Sequence, residues 1–549
     1  MTPTVTPSKF HPKDVVLLFG LAVAARLVIG YAFPGMVFFD EIYQILEPAH
    51  FRAFGTGLLP WEYYLGIRSW LLPMIFAPMM QFAAVFSTNP DLVLLPIKIF
   101  LAGLGAVTAI IAYGFGLRYY NRRVAVLIGV MMALWSEQIY FATHPLTEII
   151  ATPILLWVLY LSDGVLKAAK SAPTPNFRRY FSIGLLMGLV FVLRFHLAPA
   201  LAVVAIWLIS AGERATLWTR ALAIFCGGIM VGTAAAGFDW LTLGTPLQSV
   251  WLNAVVNLQD GVSSGFGTSP PWDVFDLIWR YWLVMTPIMA GLIWLAWRRS
   301  PLLLVAGLMI LLTHTIIAHK EPRFIYPAMT IFTLLAAMGL NEAYQRLAPR
   351  FSYKLGENRP VFAILGIWCV LSLSVSLLVN FSGPNSLWFN GRVFNRVFAR
   401  ISTEGIAPCG LALDRAITFF MTPGQSGLPP TTRLYTPVSD ELLRQHVAAY
   451  DGILSRLSDE FAQYGYQRKF CLATHLTRDR LLKAFPPPDP ICYYQRPGAC
   501  DAAQGLVHED GLIAVIRPER WRYGQRDLML KLGLTLPPEL AEAPPVAAP

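Results

Sequence analysis

Charge is what this 549-residue chain has least of. Asp, Glu, Lys and Arg together make up 14% of it, where a soluble domain carries about 25%. With 55% hydrophobic residues and a mean hydropathy of +0.52, an ordinary soluble protein is excluded. The composition is that of a polytopic membrane protein with a soluble appendage. Cysteine is scarce too, at 6 residues, and lacks the close pairs that structural zinc sites use. No internal repeat is found. The first apolar run, 14–34, lacks a small-residue cleavage site after a short apolar region, so it reads as a retained helix, not a removed signal. The net charge of +10 does not point to nucleic acid, because the basic residues sit in short clusters between apolar runs, the positive-inside pattern.

A membrane span needs about 20 mostly apolar residues. Candidates lie near 14–34, 92–117, 123–142, 148–166, 180–195, 197–212, 219–240, 279–297, 301–318, 324–344 and 360–381, about eleven in all by that length rule. Placing Lys9 and Lys13, Arg118 to Arg123, Lys167 to Arg179, Arg214 and Arg220, Arg298 and Arg299, and Arg346 to Arg359 on one face makes that face cytoplasmic. Residues 69–87 are apolar enough to cross, but a crossing there would put Arg118 to Arg123 outside. They are therefore expected as a re-entrant or interfacial helix. This topology collects the 35–91 loop, His144 to Glu148, Arg194 with His196, the 244–278 loop and His319 to Arg323 on the outer face. The chemistry is expected there.

The domain reading is a membrane catalytic domain over 1–384, a soluble extracytoplasmic α/β domain over 385–535 and a disordered tail over 536–549. In the soluble part, Gly410–Leu413 and Leu512–Ile516 read as strands, and Glu441–Leu457 and Asp459–Tyr464 as helices. Cys409, Cys471, Cys492 and Cys500 lie in it, and an oxidising compartment permits disulfides among them. Cys492 with Cys500 closes a short loop through Pro497-Gly498 and is the favoured pair. Cys226 and Cys369 fall in spans and read as packing residues.

The stretch Phe38-Phe39-Asp40-Glu41-Ile42-Tyr43-Gln44-Ile45-Leu46-Glu47-Pro48 follows the first span directly. Acidic residues beside a hydrocarbon boundary are functional by default; the plain alternative is a cap on a loop helix. Further on come Trp61-Glu62-Tyr63, Ile67-Arg68-Ser69 and His319-Lys320-Glu321-Pro322-Arg323-Phe324-Ile325-Tyr326-Pro327. In order, these motifs resemble the lipid-linked-sugar mannosyltransferases of glycosyltransferase family 22, which build GPI anchors and the dolichol-linked N-glycan precursor. Gly265-Phe266-Gly267-Thr268-Ser269-Pro270-Pro271-Trp272 is similar to a further segment of that family. Phe38-Phe39 and Pro322 depart from the family pattern. The resemblance implies a GT-C membrane fold and inverting transfer of a sugar, mannose first among the candidates, from a polyprenyl- or dolichyl-phosphate donor.

The residues carry that chemistry independently. An acceptor hydroxyl needs a base and a departing phosphate needs cations. Asp40 is assigned the base, a role the resemblance gives to the first acid of the pair. Glu41 orients the acceptor or tunes Asp40. Lys320, Arg323 and His319 are assigned to the donor phosphate, with Arg194 and His196 as further candidates whose other reading is interfacial anchoring. Glu47, Tyr43, Trp61, His144, Glu148 and Trp272 are candidates for sugar or acceptor contacts. Glu62 with Arg68 reads either as a substrate clamp or as a structural ion pair, and the pair is the plainer reading. Arg26 and Lys98 each read as a lipid-phosphate contact or as a snorkelling or paired cation. No metal and no cofactor are expected. The expected partners are the lipid-linked donor, a glycolipid or lipid-linked glycan acceptor and membrane lipids, with the chain acting as a monomer. Ala/Pro/Arg-rich composition and short cytoplasmic loops suggest a bacterial inner membrane with a periplasmic site; the alternative is the endoplasmic reticulum, lumen-facing. Two rival functions remain: the same fold with a pentose or hexuronic acid donor, and a transporter or flippase of lipid-linked sugars.

Overall fold

The computed structural model describes residues 9–32, 35–36, 38–55, 59–168, 176–259, 263–264, 267–347, 359–381, 392–413, 433–435, 440–445, 447, 450–456, 458–472, 490–496 and 498. The chain divides into two compact units. One comprises Met1–Ala32 with Lys98–Gly383, the other Phe33–Ile97 with Pro384–Pro549.

The first unit is helical. Among the described residues, six helices are long and apolar enough to cross a membrane: Pro12–Tyr31, Leu95–Tyr119, Thr147–Ala168, Arg214–Leu243, Asp273–Ala296 and Pro322–Leu347. Phe195–Ser210, Pro301–Ile316 and Phe362–Ser376 are shorter apolar helices. The apolar window of Pro322–Leu347 is 94% buried, which makes it the central post, apolar on all sides because protein surrounds it on all sides. Phe177–Leu193 lies tightly on Leu217–Leu243. A side chain at Gly184 would strike the Ile224 carbonyl, and one at Gly227 the Phe181 carbonyl, so only glycine lets these backbones approach.

The run expected as one span over 123–142 is two helices, Arg122–Ala133 and Ser136–Phe141. Neither Gly nor Pro marks the break. Side chains from other helices take up the backbone groups it releases. Trp368 Nε1 donates to the Met131 carbonyl at 2.8 Å, and Arg26 Nη1 to the Ala133 carbonyl at 3.1 Å. Ser372 Oγ donates to the Leu134 carbonyl at 3.1 Å and accepts from the Ser136 amide at 2.9 Å. Arg26 is fully buried. Its charge sits at the carbonyl end of a helix, where a cation is favoured.

At one end of the long helices, three carboxylates are each held by an arginine and a tyrosine. Asp14 pairs with Arg122 at 2.7 Å and accepts from Tyr113 at 2.8 Å. Asp163 pairs with Arg118 at 2.9 Å and accepts from Tyr119 at 2.7 Å and Ser300 at 2.8 Å. Glu342 pairs with Arg299 at 2.9 Å and accepts from Tyr120 at 2.8 Å. Arginines that read in the sequence as positive-inside clusters therefore also tie helix ends together.

In the second unit, Phe39–Glu41, a π-turn over Ile42–Leu46 and Glu47–Phe54 form one helical stretch. Leu71–Ala84 follows, its 14 residues giving about 21 Å, short of the ~30 Å hydrocarbon core. Gln81 Nε2 donates to the Ala53 carbonyl at 2.8 Å, linking this helix to Glu47–Phe54.

The soluble part of this unit is built on a five-stranded sheet of β1 (Gly410–Leu413), β2 (Arg433–Tyr435), β3 (Gly452–Arg456), β4 (Gln467–Leu472) and β5 (Ile491–Gln495), in the order β2-β1-β3-β5-β4. β1 runs parallel to β2 and β3, and β5 antiparallel to β3 and β4. The strands alternate between two cores. Leu411, Leu413, Leu454 and Tyr493 pack with Val397, Phe398 and Ile401 of the helix Arg392–Thr403, while Ala412, Ile453, Cys492 and Tyr494 pack with Tyr450, Phe461 and Tyr466.

Two expectations for this part are corrected. Glu441–Leu457 is not one helix: a helix over Asp440–Gln445 is followed by strand β3. Asp451 takes up the amides of Cys409 and Gly410 at 3.2 and 2.8 Å, and Gly452 starts the strand. Cys492 is bonded to Cys471, not to Cys500, because the β4–β5 register sets Cys471 directly opposite Cys492. Cys409 is also disulfide-bonded; Cys500, Leu512–Ile516 and the tail 536–549 lie outside the described residues. Cys226 and Cys369 are free thiols.

Candidate active site

The acidic motif opens the helical stretch of the second unit, and the two acids part ways there. Glu41 is buried and its carboxylate accepts the Phe38 amide at 3.0 Å, capping the helix. Asp40 is half-buried and lies within electrostatic range of Arg68. The π-turn that follows has a cause in Pro48. Proline has no N–H for the carbonyl four residues back, that of Gln44, and the Tyr63 hydroxyl donates to that carbonyl at 2.5 Å. Gln44 Nε2 donates to Glu62 Oε1 at 3.1 Å, and Arg68 Nε and Nη2 reach the same oxygen at 3.0 and 2.8 Å. Burial opposes the Arg68 charge, but Glu62 and Asp40 outweigh it and raise the guanidinium above its usual range. Glu62 and Arg68 thus pin the loop that carries Asp40. Glu47 is fully buried; burial first, then the Glu47 charge, pushes the Tyr43 phenol up. The Trp61 side chain lies outside the described residues; its backbone starts the short helix Trp61–Tyr64.

The second constellation belongs to the first unit and gathers around Phe324. Glu148, in the first turn of Thr147–Ala168, is 1% exposed. It meets Arg194 at 2.8 Å and Arg323 at 3.4 Å, and Thr147 Oγ1 donates to it at 3.1 Å. Arg323 turns its Nε and Nη2 to Glu321 at 2.7 and 3.0 Å, and Glu321 accepts from His319 Nε2 at 3.1 Å. The guanidiniums of Arg194 and Arg323 lie 5.0 and 4.8 Å from the Phe324 ring centre, within cation–π range. Burial raises the Glu321 carboxyl, but Arg323 and His319 outweigh it and hold the group far below the usual carboxylate range.

His319 faces acceptors on both sides, the Gly267 carbonyl at 3.0 Å from Nδ1 and Glu321 at Nε2. Both contacts are hydrogen bonds only if both nitrogens carry protons, so the ring fits as an imidazolium. The Glu321 bond accordingly raises its pKa, against burial. Lys320 Nζ donates to the carbonyls of Ser269 at 3.0 Å and Ile317 at 2.7 Å, and burial lowers its pKa. With Ser269 N donating to Ala318 O at 2.9 Å, these bonds lace the Gly267–Trp272 segment to the His319–Arg323 motif. In direct contact are three cations (Arg194, Arg323 and protonated His319) and two carboxylates (Glu148 and Glu321), a net +1. Lys320, held by backbone carbonyls, adds one positive charge, and Asp273, which acts on it from further away, offsets it, so the sum stays at +1. Such an array at helix ends suits an anion such as a phosphate.

The structure thus brings Arg194, Glu148, His319, Lys320 and Arg323 into one neighbourhood. His196 stacks on Phe195 with ring centres 4.1 Å apart. His144 is buried against Tyr140 at 4.7 Å. Trp272 is 70% exposed, as an interfacial anchor would be. Glu321 and Phe324 were missed as site residues. Their signal was their place inside the His-Lys-Glu-Pro-Arg-Phe run, where a carboxylate between two cations and an aromatic beside an arginine are the groups that hold those cations.

Residues 17–399 match the Alg9-like mannosyltransferase family. The chain belongs to that family. Among its curated relatives, GPI mannosyltransferase 3 of Yarrowia lipolytica is 26% identical over 353 residues, covering 61% of this chain and 65% of the relative. GPI alpha-1,2-mannosyltransferase 3 of Homo sapiens is 26% identical over 343 residues, covering 58% and 56%. The chain therefore spans less than two thirds of the length of these relatives. In structure, this Alg9-like chain is similar to ArnT from Cupriavidus metallidurans in the apo state, at a TM-score of 0.51 and 12% identity, over 89% of this chain and 99% of that one. The fold is thus that of a polytopic GT-C membrane protein, as the motifs implied.

Proposed function

We propose that this Alg9-like chain is an inverting mannosyltransferase that moves mannose from a polyprenyl- or dolichyl-phosphate donor to a glycolipid or lipid-linked glycan. The observation that carries the reading is the cation cluster of Arg194, Arg323, His319 and Lys320 with its charge excess. The names of the Yarrowia and human relatives support mannose and a glycolipid acceptor.

In the reaction, the acceptor oxygen attacks the anomeric carbon. The bond from that carbon to the phosphate oxygen breaks, and the phosphate leaves with the bonding pair. Asp40 takes the acceptor proton, while the cluster meets the charge growing on the phosphate. Glu41 holds the helix start that carries Asp40, and Glu62 with Arg68 holds the loop. The reading calls for no metal ion. The finer topology is about eleven spans by the length rule, with Leu71–Ala84 as an interfacial or re-entrant helix and the site at the extracytoplasmic face. A bacterial inner membrane is the first candidate membrane, and the protein acts as a monomer.

The test is purified protein in lipid with synthetic polyprenyl-phosphate-mannose and a membrane glycolipid extract, scoring sugar transfer and lipid-phosphate release. Asp40→Asn should bind donor and lose about 10²–10⁴-fold of rate. Lys320→Ala should weaken donor binding as well as turnover, and chelator should change nothing. An Asp40→Asn variant that turns over like wild type removes Asp40 from the base role. Movement of the lipid-linked sugar across the bilayer without transfer would replace the enzyme by a transporter.

A further inference from the structure

The break between Arg122–Ala133 and Ser136–Phe141 is not explained by the cation cluster. Irregular backbone at membrane depth persists only where protein buries it or it lines a cavity, and in transporters broken helices mark binding sites. Here Arg26, Trp368 and Ser372 are committed to servicing the break. What it presents is the short helix Ser136–Phe141.

On that helix, Gln138 is fully engaged. Its Nε2 donates to Thr330 Oγ1 at 2.8 Å and its Oε1 accepts from the Tyr326 hydroxyl at 3.1 Å. Glu137 is different. It is 6% exposed, and neither of its carboxylate oxygens closes a hydrogen bond among the described residues. Nor does the Tyr281 hydroxyl, which lies within electrostatic range of Glu137; Trp282 Nε1 is directed at Glu137 as a hydrogen-bond donor but without closing a well-formed bond. A buried polar group left unsatisfied is costly. Glu137, Tyr281 and the loosely held Trp282, with Trp135 Nε1 and Ser136 Oγ also open at this helix start, leave polar positions that a polar ligand would complete. Tyr281 is also within electrostatic range of Glu321, so the neighbourhood continues from the cation cluster. Its aromatic wall includes Phe141, whose ring centre is 6.0 Å from that of Tyr281 and 4.7 Å from that of Tyr326. A carboxyl among phenol, indole and phenyl rings is what a hexose needs. The carboxyl bonds the hydroxyls, and the rings cover the C–H faces.

We propose that Glu137, with Tyr281 and Trp282, receives the hydroxyls of the donor hexose and selects its configuration, while the cation cluster holds the lipid phosphate. The inference rests on the glycosyl-transfer reading and adds a sugar-recognition role to it.

The test uses the full chain in lipid with three probes: polyprenyl-phosphate-mannose, its glucose epimer and sugar-free polyprenyl phosphate. Glu137→Gln keeps the volume and removes the acid. It should raise KM for the mannose donor about tenfold, the loss of roughly one such hydrogen bond. It should also narrow the mannose-to-glucose preference and leave sugar-free phosphate binding unchanged. Trp282→Phe, which keeps a ring but removes the N–H, should shift the same preference, and it carries the test should Glu137→Gln fail to fold. Unchanged KM and unchanged epimer preference in these variants, with or without a fall in thermal stability, would overturn the inference and leave Glu137 a structural acid. Wild type that transfers neither sugar would instead sink the transferase reading itself.

Discussion

Glu148→Gln separates a pin from a base. Its carboxylate lies between Arg194 at 2.8 Å and Arg323 at 3.4 Å, with all three side chains at most 12% exposed. At an effective dielectric of about 20, these contacts carry gross attractions of ~6 and ~5 kcal/mol. Desolvation offsets most of that, and removing one partner of a buried pair typically costs about 3–5 kcal/mol because the other charge stays buried. Arg323 keeps Glu321 at 2.7 Å, so the loss falls on Arg194, and the lower end, ~3 kcal/mol, is expected. The assay is a double-mutant cycle of Glu148→Gln with Arg194→Gln, read by thermal inactivation in lipid nanodiscs. It should return a coupling of about 1–3 kcal/mol. Binding of sugar-free polyprenyl phosphate to Glu148→Gln should hold or tighten, since the cluster gains one positive charge. A coupling near zero refutes the pin. Full stability with abolished turnover makes Glu148, not Asp40, the proton acceptor.

His319 bears on pH. Its folded pKa is raised above the ordinary value of about 6.5, so its contribution is complete below that value and is lost as pH rises through the folded value. Donor affinity, followed by lipid-phosphate binding across pH 6–9 on the scale of that shift, should fall with rising pH in wild type and be flatter in His319→Gln; identical profiles would remove His319 from the phosphate site. Non-reducing peptide mapping should recover the Cys471–Cys492 bridge, and Cys471→Ser should lower stability by about 2–4 kcal/mol with faster amide exchange in β4; a Cys492–Cys500 peptide would contradict the sheet register. A cysteine in place of Trp272 should react with impermeant thiol reagents in intact cells, and one in place of Arg298 should not; the reverse pattern inverts the membrane orientation.

The spans were legible because a long apolar run is a compositional signal that survives any packing arrangement. The expected runs at 92–117, 148–166 and 324–344 coincide with helices Leu95–Tyr119, Thr147–Ala168 and Tyr326–Leu347. The break at Leu134-Trp135 was not legible. It carries no Gly or Pro and is held by Arg26, Trp368 and Ser372, partners up to 238 residues away. Arg26 donates Nη1 to the Ala22 and Ala133 carbonyls, while its Nε and Nη2 close no hydrogen bond among the described residues. At Asp40-Glu41 the residue types were visible, but their division was not, because it depends on which carboxylate folds back to the Phe38 amide. Gly452–Arg456 read as helix because a short apolar run has no diagnostic period; burial on both faces of a sheet makes it a strand. The cysteine pairing follows from strand register, which loop length does not reveal.

The helices Thr147–Ala168 and Tyr326–Leu347 carry polar networks at both ends, and the two ends differ in how their charges pair. Glu148 and Asp163 are about 22 Å apart along the first helix, and Arg323 and Glu342 about 28 Å along the second. The construction is alike at the two ends: arginines on buried carboxylates, with aromatic rings beside them. The accounting differs. At the Asp163 end, Arg118, Arg122 and Arg299 face Asp163, Asp14 and Glu342, three against three, and tyrosine hydroxyls occupy further acceptor positions on those carboxylates. These ion pairs are balanced and hold helices together, with Lys167 standing over the Tyr119 ring at 3.2 Å. At the Glu148 end, three cations pair with two carboxylates, and the neighbourhood stays positive with Lys320 and Asp273 both counted. An uncompensated charge in a partly buried site is costly unless a ligand of opposite sign completes it. The excess among the ion pairs is what the proposed lipid-phosphate site at this end of the bundle rests on.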